Sequence, residues 1–268
     1  MLVNLRTSDR GYNNMSTKIT KKVVVNSPDD HVVFDGLDFT EEATVEITAA
    51  ASVTFRNCRF YNLKLGSAGT ETLIGNNTQT SKVAGYKIVI QNCFFGKNDT
   101  YNMVSIGRMM LDGSSFENNY MTNDCTRDDR FSAFIAEEGA TYNFNGNHFE
   151  KYTQNSFQFS FHKDPIATIN INDNVIGLPA DDLEYEVRGL ARFRPTPNST
   201  TTFEHLVVNA NNNKFEGKDD RIAFCQMKSD KDLVLTAENV PTYYLNGELT
   251  PIEIVDSRSI FCSNSTSI

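Results

Sequence analysis

One eight-residue pattern recurs along the chain and constrains its fold more than any other feature. Its copies read VVFDGLDF (32–39), VTFRNCRF (53–60), IVIQNCFF (88–95), MMLDGSSF (109–116), YNFNGNHF (142–149), ININDNVI (169–176), VNANNNKF (208–215) and LVLTAENV (233–240). The first and third residues of each copy are apolar and the fourth is polar, the period-two alternation of a strand with one buried face. The fifth residue is Gly36, Asn57, Asn92, Gly113, Gly146, Asp173, Asn212 or Ala237. Gly, Asn and Asp tolerate a left-handed backbone, so the chain is expected to bend sharply at this one point of every octet. The eighth residue, most often Phe, then turns inward and closes the corner.

Successive eighth positions lie 21, 35, 21, 33, 27, 39 and 25 residues apart. A minimum near 21 with variable excess fits a coil of three short strands whose loops lengthen at tolerated corners. A further strand is expected before the octets, at 72–74, 104–106, 131–135, 157–161, 191–193 and 222–224. Stacked coils that bury one another are the mark of a solenoid.

The sixth position reads Leu37, Cys58, Cys93, Ser114, Asn147, Asn174, Asn213 and Glu238. Like residues fall beside like. Strands stacked about 4.8 Å apart let amides hydrogen-bond up a column, so the asparagines are expected as a ladder and Cys58 and Cys93 as a buried thiol pair. With these features the chain resembles the right-handed parallel β-helix proteins, which include pectin-acting enzymes and phage tailspikes, over residues 32–240. The expectation is an all-β, right-handed parallel β-helix (solenoid) of about eight coils. A left-handed hexapeptide helix lacks its six-residue period here, and a β-sandwich would not repeat one corner so often.

Three regions follow: 1–30 as an N-terminal cap or docking arm, 31–240 as the β-helix, and 241–268 as a C-terminal hairpin cap and tail. Asn246-Gly247 marks the hairpin turn. The polar tail from Ser257 is expected to be flexible or ordered only on a partner.

Composition narrows the function. A net charge of −9 argues against nucleic-acid phosphates as a partner. No apolar run is long enough to span a membrane, and the first thirty residues lack a signal-peptide core. Five cysteines without framework spacing point to a reducing compartment during folding. No P-loop, nucleophile elbow or metal-spaced cluster is present, so no catalytic, cofactor-binding or metal residue is assigned and no cofactor is expected.

The loops offer Asp124, Arg127, Asp128, Asp129, Arg130, Glu137 and Glu138 as acid–base or cation-binding candidates. Adjacent carboxylates such as Asp128 and Asp129 would face opposite ways on a strand, and a solvated loop is the simpler reading. Asp219, Asp220 and Arg221 share that weakness. His162, Lys163 and Asp164 read as a strand end, His148 as surface, and Arg188, Arg192 and Arg194 as part of a mixed charged patch. With no Trp and no outward Tyr column in the octets, an aromatic platform is not expected.

Two function classes stay open. The resemblance implies a non-enzymatic virion structural protein of a phage, a capsid- or tail-surface decoration or fibre-like component made in the host cytoplasm. Its implied partners are other virion proteins of the capsid or tail and further copies of itself, with a homo-oligomeric trimer as the first expectation, and a surface glycan. No nucleic-acid or membrane partner is expected. The alternative is a polysaccharide lyase or glycoside hydrolase acting on acidic polysaccharide.

Overall fold

The repeat becomes three long sheets. A computed structural model of the protein describes residues 2–6, 16–49, 52–63, 72–76, 85–96, 102–122, 131–135, 138–152, 157–161, 165–179, 191–195, 203–215, 221–225, 241–251, 253–256 and 259–263. Among them there is no helix. The chain visits the sheets in rotation, so each strand pairs with the strand three places later.

The first sheet runs Leu2–Arg6, His31–Asp35, Ser52–Arg56, Lys87–Gln91, Ser115–Glu117, Ala140–Asn143, Ala167–Asn170, Leu206–Ala210 and Thr242–Leu245, and ends on Glu248–Leu249. The second holds Lys18–Ile19, Asp38–Glu41, Arg59–Leu63, Phe94–Phe95, Tyr120–Met121, His148–Tyr152, Val175–Pro179 and Lys214–Phe215. The third holds Val23–Asn26, Val45–Ala49, Thr72–Asn76, Asn102–Met110, Phe131–Ile135, Phe157–Phe161, Ala191–Pro195 and Arg221–Cys225. The last six of these coincide with the strands expected before the octets. Pairing is parallel except at the C-terminal ends, where Ser259–Ser263 and Glu253–Asp256 add antiparallel strands to the third sheet and Glu248–Leu249 folds back on Thr242–Leu245.

The octet corner lies between the first and second sheets. Its fifth residue has positive φ at Gly36, Asn57, Asn92, Gly146, Asp173 and Asn212. Each of the first five sends its N–H to a fourth-position carbonyl of the following pass, as in Asn57 to Gln91 (3.1 Å) and Gly146 to Asn172 (2.8 Å). At Gly146 a Cβ would also overlap the Asn118 side-chain oxygen, which would have to move.

The fourth octet needs correction. Ile90 pairs with Phe116, not Leu111, and Gln91 with Glu117. The corner residue is Asn118, with φ 55°, and the octet is SSFENNYM, residues 114–121. Met109 and Met110 instead end the third-sheet strand after a bulge between Ile106 and Met109. Gly113 also has positive φ (71°), but in the turn that enters the first sheet. The sequence pattern misplaces this copy because its first position is Ser114, a buried polar residue. Ser114 fits there because its Oγ accepts the Ile88 N–H (3.0 Å) and donates to the Leu111 carbonyl (2.7 Å). The octet expected at 233–240 lies outside the described residues. Its role in the first sheet is taken by Thr242–Leu245, where Val208 pairs with Tyr243.

Apolar octet positions fill one continuous core. Phe34 stacks on Phe55 at 4.8 Å, and Phe39, Phe60 and Phe95 form a column with ring spacings of 4.6 and 4.8 Å. Phe116, Phe144, Phe157 and Phe159 continue it, all buried.

Both ends contribute strands to the sheets. Residues 1–30 supply a strand to each sheet, with Leu2–Arg6 in register on His31–Asp35. The Asn246-Gly247 hairpin forms, with both residues at positive φ (51° and 81°). The tail expected to be flexible contains Ser259–Ser263, paired along Arg221–Cys225.

The corrected corner generates a paired test. Asn118→Val should cost about 1–2 kcal/mol, the penalty of a left-handed backbone for a residue with a branched Cβ, whereas Asn118→Gly should stay within a few tenths of wild type. Phe116→Ala should cost about 3–5 kcal/mol as a core truncation. Urea unfolding of the three variants checks both, and equal stability of the Val and Gly variants would return the corner to Gly113.

Candidate functional site

Most outward polar side chains on the first sheet are engaged with the stack itself. Asn143, Asn170 and Asn209 pass hydrogen bonds from one pass to the next (2.8 and 2.7 Å), as do Asn145, Asn172 and Asn211 through side chain and backbone. Earlier in that second column Arg56 pairs with Asp35 at 3.0 Å, and Gln91 bonds Glu117 at 3.2 Å.

The sixth-position column is a buried ladder of Asn119, Asn147, Asn174 and Asn213, with Asn119 standing where the sequence pattern placed Ser114. Each amide oxygen of Asn147, Asn174 and Asn213 accepts both the backbone N–H and the amide N–H of the asparagine before it (2.9–3.1 Å). Each amide also donates to a core-strand carbonyl, at Ile90, Phe116, Phe144 and Ile171. The Cys93 N–H caps the end, donating to Asn119 Oδ1 (2.9 Å). Cys58 and Cys93 are both free, buried thiols. Burial pushes the Cys93 thiol well up, so it stays protonated and inert.

The second sheet carries different chemistry on its outer face. Its seventh octet positions pair in register from strand to strand: Lys18, Asp38, Arg59, Phe94, Tyr120, His148, Val175 and Lys214. At one end Arg59 grips Asp38 with two charge-assisted bonds, Nε to Oδ1 at 2.7 Å and Nη2 to Oδ2 at 2.6 Å. Ser16 and Tyr61 (3.0 Å) also donate to Asp38, and the Arg59 guanidinium lies 5.6 Å from the Tyr61 ring centre. Asp38 is only 2% exposed, although the octet pattern places it outward. Burial pushes its carboxyl up, but the hydrogen bonds from Arg59, Ser16 and Tyr61 and the Arg59 charge outweigh that and hold it below the ordinary carboxylate value.

In the middle of the column stand three rings. Phe94 and Tyr120 are near-parallel with centres 6.0 Å apart, and Tyr120 and His148 are 4.7 Å apart at 40°. Phe94 lies along its own strand over Gly96, where a Cβ would come within 2.8 Å of the ring. Tyr120 leans across to the next strand, its hydroxyl donating to Glu150 Oε2 (3.4 Å). Tyr120 is 38% exposed. Burial, and then the neighbouring Glu150 charge, push the Tyr120 hydroxyl up, so it remains a donor. The outer face thus carries one exposed Tyr between half-buried Phe94 and His148, and no outward Tyr column. The correct phase of the fourth octet was the signal that reveals this Tyr, since it moves Tyr120 to the seventh position.

Most loop candidates lie outside the described residues: Asp124, Arg127, Asp128, Asp129, Arg130, Glu137, His162, Lys163, Asp164, Arg188, Asp219 and Asp220. Glu138 is an exposed turn residue. Arg192, Arg194 and Arg221 belong to third-sheet strands. Among the described candidates, His148 joins the aromatic row. Among the described residues, no three His, Cys, Asp or Glu side chains gather as a metal site.

The Asp38 pair predicts an acid limb in stability. Its folded titration lies below its unfolded one, so its contribution is complete above the ordinary carboxylate range and is lost as pH falls through the folded value. Asp38→Asn should lower the thermal midpoint at neutral pH and shrink the further loss between about pH 5 and pH 2. Equal acid slopes in the two proteins would remove Asp38 as a source of that loss. Comparison with protein-family models, with curated proteins and with solved structures found no match to this chain.

Proposed function

We propose that the chain is a right-handed parallel β-helix of about eight coils, and that it serves as a non-enzymatic structural component of a phage virion, displayed on the capsid or tail surface. The handedness rests on the strong preference of parallel crossover connections within one sheet. The coil count rests on the three-sheet rotation. The role rests on one observation above all: on the first sheet and its corner, amides and charges bond to their own neighbours along the stack. Side chains used this way stiffen a rod and leave little for turnover. Docking to other virion proteins and assembly as a homo-oligomer, a trimer first, belong to the same reading.

The polysaccharide-cleaving alternative needs two cooperating carboxylates. Asp38 is clamped by Arg59, and Glu150 is engaged by the Tyr120 hydroxyl. Cryo-EM of the particle that carries the chain tests the proposal. Rod-shaped density for this chain at symmetry-related positions on a head or tail is the expected result. Recovery solely as a free species that cleaves an acidic polysaccharide, with or without Ca²⁺, would overturn it.

A further inference from the structure

We propose that Cys58 and Cys93 form a redox-responsive staple. In an oxidising medium the two sulfurs join as a disulfide that ties two consecutive passes of the stack together, and in a reducing medium they stand as free thiols. The inference rests on the sixth-position column and does not depend on the virion role.

Three features carry it. First, the two residues share one register. Arg56 pairs with Gln91 before the corner and Arg59 with Phe94 after it, and the Phe94 N–H donates to the Cys58 carbonyl (2.9 Å). Both side chains are buried on strands about 4.8 Å apart, inside the Cα separation of about 4.4–6.8 Å that a disulfide spans. Their Cβ atoms need to approach by only a few tenths of an ångström to reach the usual disulfide range. Second, the thiols interact with each other. A hydrogen bond with Cys93 lowers the Cys58 thiol below its ordinary value in spite of burial, and burial raises that of Cys93. Cys58 is thus the attacking sulfur and Cys93 the resolving one. Third, the pair stands where the amide ladder stops. From Asn119 to Asn213 side chains tie each pass to the next, and the Cys93 N–H caps that ladder on Asn119. A disulfide carries the same column one pass further, closing a loop whose ends are 35 residues apart.

The step is thiol–disulfide exchange with a small disulfide, oxidised glutathione. The Cys58 thiolate attacks one of its sulfurs and releases one glutathione thiolate, leaving a mixed disulfide. Cys93 gives up its proton, and its sulfur displaces the second glutathione from Cys58 Sγ. The protein pair loses two electrons and two protons, and oxidised glutathione takes up both to become two thiols. Burial shuts glutathione out of the packed stack, where Cys58 is 1% and Cys93 2% exposed, so the exchange belongs to a chain that is folding or has opened. The competing role for the pair is that of small apolar filler. Filler needs neither a shared register nor a hydrogen bond between thiols. The remaining cysteines offer no such pair: Cys225 pairs with Ser259 and Cys262 with Ile222, and Cys125 lies outside the described residues.

Refolding the full chain from urea in mixtures of oxidised and reduced glutathione tests this, with the remaining thiols alkylated and the non-reduced peptides mapped by mass spectrometry. One disulfide joining Cys58 to Cys93 is expected, with Cys125, Cys225 and Cys262 alkylated. Exchange with glutathione should favour that disulfide about ten-fold or more in the folded chain over the chain held in urea. The cross-link should raise the thermal midpoint by about 5 °C, and dithiothreitol should reverse the gain. Cys58→Ala and Cys93→Ala should each abolish the dependence of the midpoint on the glutathione ratio. If an alanine variant fails to fold, the oxidised and reduced forms of the wild-type chain decide the outcome. Recovery of all five cysteines as alkylated thiols at every glutathione ratio would overturn the proposal. So would a disulfide that joins other cysteines instead, or an oxidised chain no more stable than the reduced one. None of these results bears on where the chain sits in a particle, so the two proposals fail separately.

Discussion

The hydrogen bond at the left-handed corner holds the architecture in phase. At Gly36, Asn57, Asn92, Asn118, Gly146 and Asp173 the backbone takes positive φ and its N–H meets a carbonyl of the next pass. Two residues on, the N–H of the seventh position reaches back to the sixth-position carbonyl of the pass before, as from Phe94 to Cys58 and His148 to Asn119. Each corner is thus tied on both sides. A slip of one residue would turn every inward side chain outward, and the corners forbid it. Loop lengths between corners therefore vary from pass to pass without disturbing the columns.

Once the phase is fixed, each octet position becomes a column with its own environment, and the sixth shows how strongly environment selects residue. It is buried and faces strand carbonyls that need donors. Asparagine meets the need only when repeated, because each amide is completed by the next: its oxygen takes two donors from one neighbour, and its nitrogen gives one bond onward and one inward to a carbonyl. A buried amide without that neighbour would leave polar atoms unpaired at a cost of about 1–3 kcal/mol. The column therefore changes type abruptly. Past Asn119 it holds Cys93, Cys58 and Leu37. The thiols still offer a weak donor to the Gln91 and Arg56 carbonyls (both 3.3 Å), and Cys58 also lies 3.5 Å from the Phe34 carbonyl of the pass before.

The strands and corners were legible in the sequence because they rest on local chemistry: alternating burial and residues that accept positive φ. What escaped was the one copy whose first position is polar. Ser114 satisfies its burial with hydrogen bonds that only the neighbouring passes supply, and no local pattern marks it. Apolar Met109 and a glycine that does adopt positive φ offered a false phase five residues earlier. That single slip hid Asn119 from the ladder and Tyr120 from the outer face. The burial of Asp38 was hidden for a related reason, since it depends on Ser16, Arg59 and Tyr61 from other parts of the chain. Likewise, the tail strand Ser259–Ser263, a short apolar stretch inside a polar tail, takes its place through its antiparallel partner Arg221–Cys225.

The contrast between the faces of the first and second sheets follows from the same strand spacing. Parallel strands hold equivalent residues about 4.8 Å apart, whereas carbon atoms attract best at roughly 3.5–4.0 Å. Amides bridge that gap with hydrogen bonds of 2.7 and 2.8 Å and need not tilt out of their column. Rings have no such bridge and close the gap by leaning. In the core the lean is absorbed by packing, as in the Phe39, Phe60 and Phe95 column. On the surface Tyr120 leans toward Glu150 and against His148 and stays partly exposed. Cross-strand ring contacts of this kind each contribute about 0.2–1 kcal/mol to a sheet, as between Phe94 and Tyr120 and between Tyr120 and His148. The one spacing thus makes asparagine a self-sufficient ladder and makes rings lean, and the two outer faces differ for that reason.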